Sequence, residues 1–359
     1  MRIIELNLEN YRNNLNLSIN FQPEGALLFG PNGIGKTNLL EAISYIAFGK
    51  SILGLRDNEL INFSETFFRI TASVEIKSQI FHIEAAADKT KKVIKIEKNL
   101  ISKTSILYNY LKVIYFSPLD IEIIQGSPGK RRQFLDSSIS QLKLEYLEIL
   151  QRFYRILKQR NSLLKDKTNL SSKESWDKKY IEISSIIIKY RIIFLKEFAQ
   201  FVKEKYHLIS QRKENIEIKY RYSFPLLSDL DYFENLTNTI DKNAKYEIKS
   251  ERSMYGPHLD DLEIKINDHD IRKFGSQGQK RSLSIALKLA QSQMMRENNE
   301  CHPILIFDDV FADLDEDRTT QIINLLENKH QIFIATPNIS QYNQINLPRI
   351  DVERFINSE

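Results

Sequence analysis

Residues 30–37 read Gly30-Pro31-Asn32-Gly33-Ile34-Gly35-Lys36-Thr37, which satisfies the pattern GxxxxGK[ST]. The apolar run Ala26 to Phe29 before them has the length of a buried strand, and Lys36 to Phe48 after them has helical spacing. Strand, glycine-rich turn and helix in that order make a phosphate cradle. The glycines let the backbone curl so that its N–H groups face the β-phosphate, and the helix start adds positive potential. Lys36 then reaches the β- and γ-phosphates, and Thr37 supplies a hydroxyl for Mg2+. A turn that merely joined strand to helix would have no use for Lys36 and Thr37 together. The expectation is a nucleotide site on a P-loop α/β fold.

Such a site needs an acidic partner. Ile304-Leu305-Ile306-Phe307 is a second buried apolar strand, and it ends in Asp308-Asp309. Asp308 is placed to hold Mg2+, and Asp309 to orient or deprotonate the attacking water, since phosphoryl transfer depends mostly on positioning and charge stabilisation.

A third element is Ser276-Gln277-Gly278-Gln279, just ahead of a long helical pattern. The tetrapeptide alone reads as an ordinary N-cap, or as a second anion site at a helix N-terminus. Order adds weight to the second reading. P-loop, then this cap more than 200 residues later, then the acidic strand within about 30, is the order of ATP-binding-cassette ATPases, in which the cap completes the partner subunit's nucleotide site. Ala312-Asp313-Leu314-Asp315 falls where that class has a dimer-interface loop. Thr336, at the tip of the strand Gln331 to Thr336, is either a γ-phosphate contact or a structural strand end, and Gln125 is the candidate metal-sensing glutamine.

Composition agrees with a soluble globular protein of about two domains. The chain has 359 residues, 42% hydrophobic and 27% charged. No uncharged apolar run approaches a membrane span and the N-terminus lacks a leader-like stretch, so a cytoplasmic location without membrane partners is expected. The single cysteine, Cys301, excludes an intrachain disulfide, and six scattered histidines give no metal-site spacing.

Glycine marks a boundary: none of the 11 lies between Gly129 and Gly256. Residues 130–250 carry 25 basic and 16 acidic side chains, whereas the rest of the chain is acidic. We therefore expect an ATPase head formed by 1–125 and 251–359, interrupted by a basic, mainly helical lobe at 126–250. Within it Leu147, Leu150, Tyr154, Leu157 and Leu164, then Trp176, Tyr180, Ile183, Ile187, Tyr190 and Phe194, describe two amphipathic helices with core-facing stripes. A polar stretch, Lys165 to Ser175, makes them a hairpin roughly 30 to 45 Å long. A basic helical lobe without a base-reading motif suits backbone-dominated, salt-sensitive DNA binding. Its candidate contacts are Arg152, Arg155, Lys158, Lys165, Lys167, Lys178 and Lys179.

Almost end to end, the chain resembles the RecF family of bacterial DNA replication and repair ATPases, related to SMC heads. The likeness rests on Asn10-Tyr11-Arg12-Asn13, the P-loop, Asp57-Asn58-Glu59-Leu60-Ile61, Ser117-Pro118, Gly126, Pro128, Arg131-Arg132 and Phe134-Leu135-Asp136. It continues through Gln159-Arg160-Asn161, Gly256-Pro257-His258 with Asp260-Asp261, Ser276 to Gln279, and Asp308-Asp309. Leu53 and Leu259 stand where the family typically has arginine.

The resemblance implies an ABC-type ATPase head, nucleotide contact by Arg12, and a weak, DNA-stimulated ATPase using ATP and Mg2+. It further implies an ATP-dependent homodimer on gapped, duplex or single-stranded DNA, acting with RecO and RecR and indirectly on RecA at single-strand gaps and stalled forks. The alternative is an SMC-like structural DNA organiser. An insertion of about 120 residues is too short for the long coiled coil that role requires.

Overall fold

The computed structural model describes residues 1–166, 173–211, 214–227, 230–299, 302–311, 314, 316–326, 330–337, 339, 342 and 345–356. They divide into two compact units, one of residues 1–119 with 291–359 and one of 120–290.

The first unit holds two sheets. Five parallel strands run in the order Arg349–Asp351, Gly25–Phe29, Ile332–Thr336, Ile304–Asp308, Val113–Phe116. The inner ones are apolar on both faces, as parallel strands covered on both sides must be. The other sheet is antiparallel, ordered Asn14–Asn20, Arg2–Tyr11, Phe67–Ile76, Gln79–Asp88, Lys92–Ile96, Asn99–Leu100. Its alternating patterns leave one face wet. Helix Lys36–Phe48 is buried almost all round, and Leu39, Leu40, Ile43, Tyr45 and Ile46 join one core with residues of both sheets.

The second unit is built on helices Pro128–Leu142, Leu144–Lys165, Lys173–Ser210, Tyr232–Lys242 and Ala244–Ser250. The second helix of the expected hairpin is longer than its stripe suggested. Its 38 residues span about 57 Å at 1.5 Å per residue, because Phe198, Phe201, Val202, Tyr206 and Ile209 continue the buried face. Tyr154, assigned to the core stripe, is instead 47% exposed, and its neighbour Phe153 is the buried ring.

Residues 251–290, grouped with the head in the sequence reading, lie in the second unit. The cause is a strand pairing that periodicity alone does not reveal. Asp261–Ile266 pairs antiparallel with Ile216–Arg221 and with the short strand His269–Asp270, so the return segment is stitched to the lobe.

The strings that carried the family resemblance meet inside this unit. Arg131 makes a bidentate ion pair with Asp261, at 2.7 and 3.0 Å, and Arg132 donates to the Asp260 carbonyl at 2.7 Å. Arg191 pairs with Asp136 and donates to the Pro257 carbonyl. Arg160 is fully buried among Asp177, Glu247 and Ser253. Arg131, Arg160 and Arg191 are matched by buried acids.

Candidate nucleotide-binding site

The P-loop leaves strand Gly25–Phe29 and enters helix Lys36–Phe48 at the carboxyl end of the parallel sheet, where open α/β sheets place ligands. Gly35 has φ +108°, and a Cβ there would stand 2.7 Å from the Asn13 amide. Asn13 closes over the loop, donating to the Ile34 carbonyl at 3.2 Å and accepting from Asn38 at 2.7 Å. Pro31, Asn32 and Gly33 are exposed, and Gly30, Ile34 and Gly35 partly so.

Lys36 is folded onto its own loop, its Nζ donating to the carbonyls of Gly30 at 2.7 Å and Pro31 at 2.9 Å. Burial draws its pKa down, and the nearby Asp309 and Asp308 oppose that shift. Parallel register sets Ala335 beside Asp308 and Thr336 beside Phe29, which brings the acidic strand end to the P-loop. The Thr37 hydroxyl donates to Asp308 Oδ1 at 2.9 Å. A hydroxyl and a carboxylate held this close are the hard-oxygen donors that suit Mg2+. Asp309 is partly exposed beside Asp308, with φ 55°.

Sequence reasoning missed Tyr115. It lies on the face of the sheet shared with Ile306 and Asp308, and its hydroxyl donates to Asp308 Oδ2 at 2.7 Å. The available signal was one phenol in the otherwise apolar strand Val113–Phe116. Burial raises the Asp308 pKa, while the bonds from Tyr115 and Thr37 hold it down.

Other expected residues have different neighbours. Arg12 turns its guanidinium to Glu41, at 2.8 and 3.1 Å, and not to the loop. Glu41 is fully buried on the P-loop helix and also accepts from Ser51, so Arg12 ties the hairpin turn to that helix. Thr336 is 3% exposed and hydrogen-bonded to Tyr342, which gives it the surroundings of a structural strand end.

Ser276 and Gln279 form a reciprocal capping box: Ser276 N–H donates to Gln279 Oε1 at 2.8 Å, and Gln279 N–H to Ser276 Oγ at 3.2 Å. Helix Gln277–Asn299 therefore starts with the N–H groups of Gln277 and Gly278 outside its intrahelical ladder. Gln125 is exposed at the end of the short helix Glu122–Gln125 and donates to Glu122 at 3.4 Å. Both groups belong to the second unit, whereas Thr37 and Asp308 belong to the first. Arg152, Arg155, Lys158, Lys165, Lys178 and Lys179 are exposed on the two long helices. Lys167 lies outside the described residues, as do three of the four residues of the expected dimer loop, Ala312, Asp313 and Asp315.

The model of the RecF/RecN/SMC N terminal domain matches residues 2–350. The chain is 34% identical to the DNA replication and repair protein RecF of Heliobacterium modesticaldum, over 99% of this chain and 97% of that one. The chain belongs to the RecF family. RecF of Natranaerobius thermophilus is also 34% identical, over 96% of this chain and 93% of that one. Among solved structures, the recombination mediator protein RecF of the RecFOR pathway matches in its RecF-ATPrS form with a TM-score of 0.88 at 31% identity, covering 98% of this chain and 96% of that one. An SMC head bound to the C-winged helix domain of ScpA matches at 14% identity with a TM-score of 0.56, over 94% of this chain and 89% of that one, a likeness of fold alone. The fold is thus that of the RecF and SMC ATPase heads, as the three sequence elements implied. Among the described residues no helix is long and apolar enough to cross a membrane.

Proposed function

We propose that this chain is an ATP-dependent DNA-binding protein of DNA replication and recombinational repair, in which ATP closes two copies on DNA and slow hydrolysis releases them. Family membership supports ATP binding and a mediator role, since relatives are DNA replication and repair proteins and one solved relative is RecF-ATP of the RecFOR pathway. The observation that carries the mechanism is the meeting of Thr37 and Asp308 at 2.9 Å beside the P-loop.

In this reading Lys36 exchanges the Gly30 and Pro31 carbonyls for β- and γ-phosphate oxygens, and the N–H groups of residues 30–37 hold the remaining phosphate charge. Mg2+, when bound, would neutralise phosphate charge, with Thr37 and Asp308 to hold it. Asp309 orients the attacking water. Ser276, Gln277, Gly278 and Gln279 engage the γ-phosphate of the partner's nucleotide, so each ATP lies between two chains. Thr336 supports the strand end, and Arg12 supports the P-loop helix through Glu41. The exposed basic side chains of the long helices hold the DNA backbone. RecO and RecR are the partners, RecA is served indirectly, and the cytoplasm is the compartment.

Binding to gapped duplex DNA at one salt concentration, with ATP, with ADP and without nucleotide, tests this. ATP-dependent binding that disappears in Lys36→Ala supports it. Equal binding in every nucleotide state contradicts it.

A further inference from the structure

Tyr154 is an aromatic ring of the long lobe helices that the hydrophobic core does not claim. Spaced like a core residue, it is nonetheless 47% exposed. Its ring is fixed from one side by Phe153, which is 1% exposed and meets it edge-on at 5.3 Å. The exposed remainder borders a groove of about 490 Å³ along helix Leu144–Lys165, lined by Tyr154, Leu157, Lys158, Asn161, Ser162 and Lys165.

The lining reads as one helical face, at spacings of three and four, running about 16 Å from Tyr154 to Lys165 at 1.5 Å per residue. It contains two cations and no acid. Neither Lys158 nor Lys165 has a carboxylate partner among the described residues. Asn161, also in the lining, accepts through Oδ1 from the N–H and hydroxyl of Ser253, at 2.8 and 2.7 Å, which anchors this face of the helix.

A rigid aromatic face, two flanking ammonium groups and neutral polar groups between them form a nucleotide-sized platform. Stacking needs a free base face, and in a duplex both faces of every base are already covered by neighbours. Resting on the DNA-binding reading above, we propose that this groove takes an unpaired nucleotide of DNA, with Tyr154 stacked on the base and Lys158 and Lys165 on the neighbouring phosphates. The lobe then distinguishes single-stranded from paired segments, although its other cations bind either.

The test is fluorescence anisotropy at fixed salt and saturating ATP with labelled oligothymidylate and a blunt duplex of equal length, using the full chain and its variants Tyr154→Ala and Tyr154→Phe. Tyr154→Ala should weaken single-strand binding roughly 5- to 150-fold, the span associated with stacking one base, and leave duplex binding unchanged. Tyr154→Phe keeps the ring and should keep the affinity; it also guards against a folding defect in the alanine variant. Single-strand affinity unchanged in Tyr154→Ala, or lost equally for both DNAs while Tyr154→Phe binds normally, overturns the platform alone. A parent protein that binds neither DNA overturns the DNA-binding reading as well.

Discussion

The hydroxyl of Tyr115 and the hydroxyl of Thr37 grip opposite oxygens of one buried carboxylate, Tyr115 reaching Oδ2 of Asp308 at 2.7 Å and Thr37 reaching Oδ1 at 2.9 Å. Tyr115 therefore aims the group that would hold Mg2+. Partners of this kind tune metal affinity by about 10- to 100-fold. Tyr115→Phe keeps the ring and removes the donor. It should raise the Mg2+ concentration needed for half-maximal ATP hydrolysis within that range, while ATP binding measured in chelator stays normal. An unchanged Mg2+ titration would show the contact to be packing only.

Asp309 has φ 55°, in the left-handed region that asparagine tolerates well. Asp309→Asn therefore removes charge and basicity without backbone strain. Phosphate release should be abolished, while binding of a fluorescent ATP analogue persists. Turnover at the parent rate would refute the assigned role.

Arg131 and Asp261 are both almost completely buried. Arg131→Met leaves the Asp261 carboxylate uncompensated, and breaking such a pair costs about 3–5 kcal/mol. The urea midpoint of the second unit should fall accordingly. The double variant Arg131→Met/Asp261→Leu should recover much of the loss, because apolar replacement of both partners removes the desolvation penalty. A double variant as unstable as the single one would contradict this.

His258 donates through Nε2–H to the Ser253 carbonyl at 3.2 Å, and its Nδ1 lies 3.1 Å from the Tyr180 hydroxyl. Burial holds its pKa down to about 4; the Ser253 carbonyl opposes this, and Arg132, Arg160 and Arg191 add to it. In the unfolded chain the ring titrates near 6.5. Between these values the unfolded chain binds the extra proton, so stability is complete above about pH 6.5 and declines as pH falls toward about 4. At pH 5 the loss is about 2 kcal/mol. Urea unfolding at pH 7.5 and pH 5 should show this slope in the parent and a shallower one in His258→Gln; identical slopes would exclude His258 as its source.

Gly256 has φ +129°, and a Cβ there would fall 2.0 Å from the Tyr180 hydroxyl. Gly256→Ala combines backbone strain with a clash in a packed interior, so a loss of at least about 2 kcal/mol is expected in thermal or urea unfolding. A midpoint within error of the parent would mean that the turn can rearrange.

The P-loop and the strand bearing Asp308 were legible because local rules define them: glycines at fixed spacing, a lysine and threonine at a helix start, two acids after four apolar residues. Tyr115 was not, because its role comes from the register of strands 191 residues apart in the chain, and nothing local marks it. The place of residues 251–290 was hidden for the same reason, being fixed by the pairing of Asp261–Ile266 with Ile216–Arg221. The ion pair of Arg12 with Glu41 was hidden too, because nothing local marks the buried carboxylate that the guanidinium meets. Tyr154 had core spacing, but a helix that packs Phe153, Ile156, Leu157 and Arg160 inward turns the adjacent position out.

In the proposed dimer each ATP is shared, held by the P-loop of one chain and the Ser276 cap of another. Mixing Lys36→Ala with Ser276→Arg tests it directly. Neither variant alone should hydrolyse ATP, but the mixed dimer contains one site with both Lys36 and Ser276 intact, so mixing should restore turnover. Light scattering should report ATP-dependent dimers in the same samples. Two inactive variants whose mixture stays inactive, although mixed dimers form, would contradict the shared site.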